Sequence, residues 1–490
     1  MAEFWVSSED LTAIMSAATN NDSLPASLES TVHRLIADTE RTITLLDAEV
    51  DRIQPELDRL RNQRQSHVDL LRRYRTVVAP HRKLPIEMLQ EIFINCSLDP
   101  VLIPIELDRA PWKLARVCSK WRHVALATPT LWSDIQVPHI YAMTSALKSA
   151  RMMQRLFDYS GKSPISLDIV FHYSTHSESD RDSVSGLTEL LVAAAARLEH
   201  LSFYSNHISI HRLFSLPPGS MEKLRSLKMV DVALRASAST LGTAPNLRQI
   251  TFVDKFPSTI DNIPFPQLTH LTIVKTEMAS GIAFLILTLC RDLVQCTLHF
   301  RNDNQLQTDL HSQDKPKILP RLEKLQLQVK NGSGVALLWI SFLSLPSLVD
   351  FCFTNDRWSP HTKWHPAWTP VITHSGLLEN LDLRLDISAA ELEDVLGGAP
   401  KLLRLDISHK SIPQSALSRM SPGDLLPLLN SLRCSFALDA TPDALFDMLE
   451  SRKGIAPIAE VGIYLSSTAH LHLHRIQRLI EDGWKIDLLH

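Results

Sequence analysis

Glycine is scarce in this chain, with 14 in 490 residues. Enzymes that bring backbone close to phosphates rely on glycine-rich turns, and no P-loop, Rossmann glycine pattern or G-x-S-x-G run occurs. Cysteine is sparse as well, at positions 96, 118, 290, 296, 352 and 434, without a C-x-x-C pair. That spread excludes the disulfide framework of a small secreted domain and points to a reducing compartment. Long apolar runs are missing. The longest, "IAFLILTLC" at 282–290, falls far short of the ~20 residues that span a bilayer. The first residues, MAEFWVSSED, lack the basic start and apolar run of a secretory signal. A cytoplasmic or nuclear location is expected, with no membrane partner. An excess of one charge is also lacking. A net charge of −4 argues against a general polyanion binder, whose affinity rests on surplus Lys and Arg. The basic run at 59–75 overlaps the end of a heptad pattern, whereas in zipper proteins it precedes the heptads, so no nucleic-acid partner is expected.

What the chain does have is the composition of a folded protein, 44% hydrophobic and 21% charged, in recognisable blocks. Residues 1–27, rich in Ser, Ala, Asn and Thr without a period, are expected as a mobile tail. Over 28–77 the residues Val32, Ile36, Thr39, Ile43, Leu46, Val50, Ile53, Leu57 and Leu60 alternate at steps of four and three. Arg64, His67, Leu71 and Tyr74 keep the same rhythm. This is a coiled-coil or helical-hairpin signature. Pro55 in its middle predicts a kink or a break. Two partners fit such a seam: a second copy, giving a homodimer through residues 32–74, or the same chain folded back.

Residues 162–490 repeat the pattern L-x-x-L-x-L, whose alternating positions suit a strand. Clear copies begin at Leu198, Leu224, Leu247, Leu268, Leu322, Leu348, Leu378 and Leu402, with a weaker one at Leu293. Helical stretches lie between them. "SAAELEDVLGGAP" opens with Ser388 and Glu391 in capping-box spacing, and "TPDALFDMLESRKG" places Pro442 at a first helical position. One strand and one helix per 20–29 residues resembles the leucine-rich-repeat proteins. The resemblance implies a stacked solenoid, and it has a departure. The family places Asn three residues after the last leucine; only Asn206 fits here, while Val232, Lys255, Thr276, Lys330, Asp356, Asp386 and Lys410 hold the other positions. An uneven arc is the expectation. Residues 136–161 are expected to be a linking helix.

At 80–135 two short helical patterns stand out. In "KLPIEMLQEIF" Pro85 starts a helix, Glu87 suits its first turn, and Leu89, Ile92 and Phe93 form a stripe. In "KLARVCSKWRHVALATPTLW" the residues Leu114, Val117, Cys118, Trp121 and Ala125 share one face, and Leu131-Trp132 follow a Thr-Pro stop. Together, L-P-x-E-x-L-x-x-I-F, V-C-x-x-W-R-x-x-A and L-W resemble the F-box, over residues 84–132. The connection "INCSLDPVLIPIELDRAPW" at 94–112 is longer than usual, as in F-box-like proteins of mushroom-forming fungi. Those proteins also carry N-terminal heptads and leucine-rich C-terminal regions. The resemblance implies a surface for the Skp-type adaptor, and through it a cullin, carried by Leu84, Pro85, Glu87, Leu89, Ile92, Phe93, Leu114, Val117, Cys118, Trp121, Arg122 and Trp132. Leu89, Ile92 and Phe93 would divide between the module's core and the adaptor groove.

Three tryptophans, Trp358, Trp364 and Trp368, crowd with three prolines into "NDRWSPHTKWHPAWTP". They are candidates for contact with a target protein, since exposed Trp is enriched at binding hot spots. The alternative is a Pro-rich loop with its rings tucked against the repeats. His361 and His365, and the histidines of "HLHLH" at 470–474, lack further ligands at zinc spacing, so no metal is expected. No cofactor is expected either. The fold-class expectation is α/β: an N-terminal helical coiled-coil segment and a small all-α F-box-like module, followed by an irregular leucine-rich-repeat solenoid. The function that follows is a non-catalytic target-recognition subunit of an SCF-type ubiquitin ligase, with an unidentified protein as target. The alternative is a coiled-coil and repeat scaffold with no link to ubiquitin.

Overall fold

The computed structural model describes residues 7–20, 23–140, 143–171, 178–205, 211–232, 239–257, 260–301, 316–330, 334–355, 363–407, 412–435, 442–455, 457–464, 473–481 and 483–489. The chain divides into two units, Met1–Met88 and Leu89–His490. In the first, the segment expected as a tail contains the helix Ser8–Asn20, none of whose residues is buried. Its start is capped. The Ser7 hydroxyl accepts from the Asp10 amide at 3.1 Å, and Glu9 and Asp10 sit where the helix dipole favours carboxylates. A cap and two charges thus order a stretch that shows no apolar period.

The heptad block is one helix, Ala26–Val77, 52 residues long. It runs through Pro55, so the expected break is absent. Proline deprives one carbonyl of its partner, but residues 41–60 are all exposed, and a carbonyl there can turn to water. Five arginines pair with a carboxylate three residues earlier, from Arg52–Glu49 at 2.6 Å to Arg59–Glu56 at 3.8 Å. No residue of this helix is buried.

The second unit is built on a 15-stranded parallel sheet in which every strand pairs with its neighbours in chain order. All nine repeat copies read from the sequence are strands, from Leu198–Ser205 to Arg404–Ile407. Their motif residues face the core, each at most 2% exposed. Helices such as Ser280–Leu289, Ala389–Gly397 and Pro442–Arg452 return the chain between strands. The capping box at Ser388 and Glu391 is formed in both directions.

The sheet also extends beyond the repeats read from the sequence. Residues 136–161 are not a single linking helix: the strand Asp134–Ile140 precedes the helix Met143–Tyr159. This strand pairs with Ile165–Phe171 on one side and with Val101–Leu102 on the other. Three further strands, Ser431–Ser435, Glu460–Tyr464 and Lys485–Leu489, complete the far end.

With most of the asparagines missing, the main chain carries the stacking. At the head of successive strands one carbonyl accepts two consecutive amides of the next turn. The Arg225 oxygen takes Arg248 N at 2.9 Å and Gln249 N at 3.0 Å. The Arg248, Thr269, Val294, Glu323, Val349, Glu379 and Leu403 oxygens repeat the arrangement. Backbone groups exist at every position, so the stack tolerates Val232, which is buried, and Thr276, whose hydroxyl donates to the His299 carbonyl at 3.3 Å.

Candidate functional site

The helix Ile86–Cys96 turns Leu89 and Phe93 inward, both fully buried. A step of four brings them onto one face. The Phe93 ring meets the half-buried Trp121 ring with centroids 5.0 Å apart. Trp121 belongs to the helix Ser119–Leu126, which buries Val124 and Ala125 and whose N-terminus is capped by the Cys118 sulfur, 3.5 Å from Trp121 N. Arg122 Nε donates to the Ala115 carbonyl at 3.1 Å, fastening that helix to the short turn Trp112–Ala115. Trp132 is fully buried, its Nε1 donating to the Ala125 carbonyl at 2.8 Å. Its ring packs against Trp112 and Tyr159 at 4.7 and 5.2 Å.

These positions sort the expected adaptor residues. Leu89, Phe93 and Trp132 are core, each fully buried, with Phe93 against Trp121 and Trp132 against Trp112 and Tyr159. They present no surface to a partner. Leu114 and Trp121 are half-buried, while Ile92, Val117, Cys118 and Arg122 are exposed. In the other unit Leu84 is half-buried, and Pro85 and Glu87 are exposed. Apolar surface is left over. Ile92 is 38% exposed and Val117 54%, and Ile94, Leu98 and Leu107 are also open to solvent. A cavity of about 340 Å³ lies among Cys96, Ser97, Asp99, Asp108, Arg109 and Lys113. The long connection 94–112 supplies part of that cavity and also the first strand of the sheet, with Val101 and Ile103 buried.

A second surface follows from the period of two along the strands. Side chains between the core residues point away from the core and are half-exposed. Strand register aligns Val170, Tyr204, Val230, Val253 and Val274 in one row. Farther along, the same face becomes charged. Arg384 reaches Asp382 at 3.0 Å and Asp406 at 3.6 Å, and Arg433 lies 3.9 Å from Asp406. Burial, with Asp406 beside it, raises the Asp382 carboxyl above its usual range. The neighbouring Cys352 thiol is pushed up to about 12 by burial and by Asp382. Sequence reading passed over this face because its residues are ordinary one by one; only the strand register brings them together.

Of the tryptophans expected to meet a target, the two that are described are buried. Trp364 and Trp368 are 4% and 1% exposed. Trp368 stacks on Phe353 and donates from Nε1 to the Leu337 carbonyl at 3.1 Å, so the rings fill the gap between strand and loop. Trp358 and His361 lie outside the described residues, as do the histidines at 470 and 472. His365 is a cap, its Nδ1 accepting from Ala367 N at 3.1 Å. Among the described residues no group of three His, Cys, Asp or Glu is placed to hold a metal, and no helix is long and apolar enough to cross a membrane.

The chain matches no protein-family model and no curated protein.

Proposed function

We propose that the chain is the target-recognition subunit of an SCF-type cullin–RING ubiquitin ligase. The short helices seat on the Skp-type adaptor, the adaptor links to the cullin, and the half-exposed face of the sheet holds the target protein. In this role the chain needs no chemistry of its own: it raises the effective concentration of target beside the ubiquitin-loaded enzyme. One observation carries the reading. Within the segment whose sequence resembles the F-box, the inward residues Leu89, Phe93 and Trp132 complete a core while Ile92 and Val117 remain uncovered. Apolar groups left in water gain from a foreign groove, about 1.5–3 kcal/mol for each large side chain fully buried.

The scaffold reading also has an observation in its favour. The buried side of the segment caps the sheet, a task that terminal repeats need in any solenoid. Capture of recombinant Skp-type adaptor by the full chain separates the two. The parent is expected to bind, and Ile92→Asp with Val117→Asp is expected to weaken binding at least 100-fold, consistent with about 3 kcal/mol or more. Val117 is 54% exposed and Ile92 38%, so the double variant should melt well above Phe93→Asp, which places a carboxylate in the core. Absence of capture by the parent, or equal capture by the double variant, refutes the ligase reading.

A further inference from the structure

The apolar seam of the helix Ala26–Val77 lies open: Ile43, Leu46, Val50, Ile53 and Leu60 are each about half-exposed or more. No part of the helix folds back on another. Its charge is divided lengthwise. Residues 26–58 carry eight carboxylates and three arginines, net −5, and residues 59–77 carry six arginines and one aspartate, net +5. The i, i+3 ion pairs leave this division in place, since Asp47, Asp51, Arg64, Arg73 and Arg75 take part in none of them.

We infer that this helix pairs with the same helix of a second copy of the chain, and that the two run antiparallel. A parallel pair lays −5 beside −5 and +5 beside +5, and it sets Arg64, a seam residue, against its own counterpart in the least solvated layer. Like charges held side by side cost free energy that pairing must offset. The antiparallel pair lays −5 beside +5 at both ends of a two-fold arrangement. Seam positions of the two types then alternate across the interface. With Val50 level with Ile53 of the second copy, Ile43 meets Leu60, Leu57 meets Leu46, and Arg64 meets Thr39. The cationic seam residue thereby falls beside the most polar of the N-terminal seam residues, with Glu40 next to it. Arg73 and Arg75 come level with Glu29. A helix of 52 residues is about 78 Å long at 1.5 Å per residue, ample for the eight layers that these four pairings make in a two-fold pair.

The inference does not rest on the ligase reading. Its test uses the full chain in two measurements. Light scattering should give twice the chain mass for the parent and a single chain mass for Leu46→Asp, Val50→Asp, Leu57→Asp together. Orientation is read by mixing an Ile36→Cys chain with a His67→Cys chain under mild oxidation and sequencing the linked peptides by mass spectrometry, which sets aside links through native Cys96 and Cys118. A 36–67 link in the mixture, with no 36–36 link from Ile36→Cys alone, is the expected result. A parent of single chain mass, a dimer that survives the seam substitutions, or a 36–36 link overturns it.

Discussion

Arg452 tests how the far end of the sheet is held. It is fully buried near the end of the helix Pro442–Arg452, and burial lowers its pKa without approaching neutrality. Its Nη1 donates to the Met420 and Leu425 carbonyls at 3.3 and 3.5 Å, and its Nη2 to Leu426 and Pro427 at 3.0 and 3.2 Å. Leu426 is held at φ 51°, in the left-handed region that a leucine rarely adopts, so the guanidinium clamps a strained turn. Arg452→Met keeps the volume and removes every donor. Each buried carbonyl left without a partner costs about 1–3 kcal/mol, while removing a buried charge returns part of that. The Met420 and Leu426 oxygens keep the Gly423 and Leu429 amides as partners, so the loss falls mainly on the buried Leu425 carbonyl and on Pro427, and we expect a net loss of about 1–3 kcal/mol. A repeat array opens locally, so hydrogen exchange is the assay. Amides of 414–455 should exchange about 5- to 150-fold faster, tenfold for each 1.4 kcal/mol, while 198–301 stay unchanged. Exchange within threefold of the parent over 414–455 would falsify the clamp.

Two further outcomes follow from the exposed sheet face and the thiols. Asp382 has its folded pKa raised by burial and by Asp406, so its favourable contribution is complete below the unfolded value near 3.8 and is lost as pH rises through the folded value. Asp382→Asn should therefore leave strands 380–435 at least as stable as the parent at pH 7, with the difference closing toward about pH 4; a less stable variant at pH 7 contradicts this. Burial pushes Cys290, Cys352 and Cys434 up to about 12 and raises Cys296 as well, while Cys96 and Cys118 are exposed. Iodoacetamide at pH 8 should label only Cys96 and Cys118 in the native chain and all six after denaturation, as read by peptide mass. Native labelling of Cys352 would count against its placement beside Asp382.

Much of the repeat architecture was legible because leucine at a fixed step of three and then two marks a strand that faces a core. The strands missed were those in which other apolar residues take that place. Leu429, Leu432 and Cys434 precede and line one, and Ile458, Val461 and Ile463 another. Packing accepts any apolar shape at those points, but the eye follows leucine. The first strand was hidden inside a connection that read as a departure from a familiar pattern. The helical segment was legible as a pattern, whereas its division into buried Phe93 and uncovered Ile92 needs the packing partners. The tryptophans of 364–368 left two readings open for the same reason: an aromatic cluster in a proline-rich loop looks alike whether its rings face solvent or a core.

The doubled amide contacts at the strand heads have a consequence for how such a chain can change. Alignment of one turn on the next is written in peptide groups, which every substitution but proline leaves intact. Side chains on the open surface add to it only locally, as Arg384 and Arg433 do on Asp406. A row such as Val230, Val253 and Val274, or the Asp–Arg lattice beyond it, can be rewritten residue by residue while the spine beneath keeps its alignment.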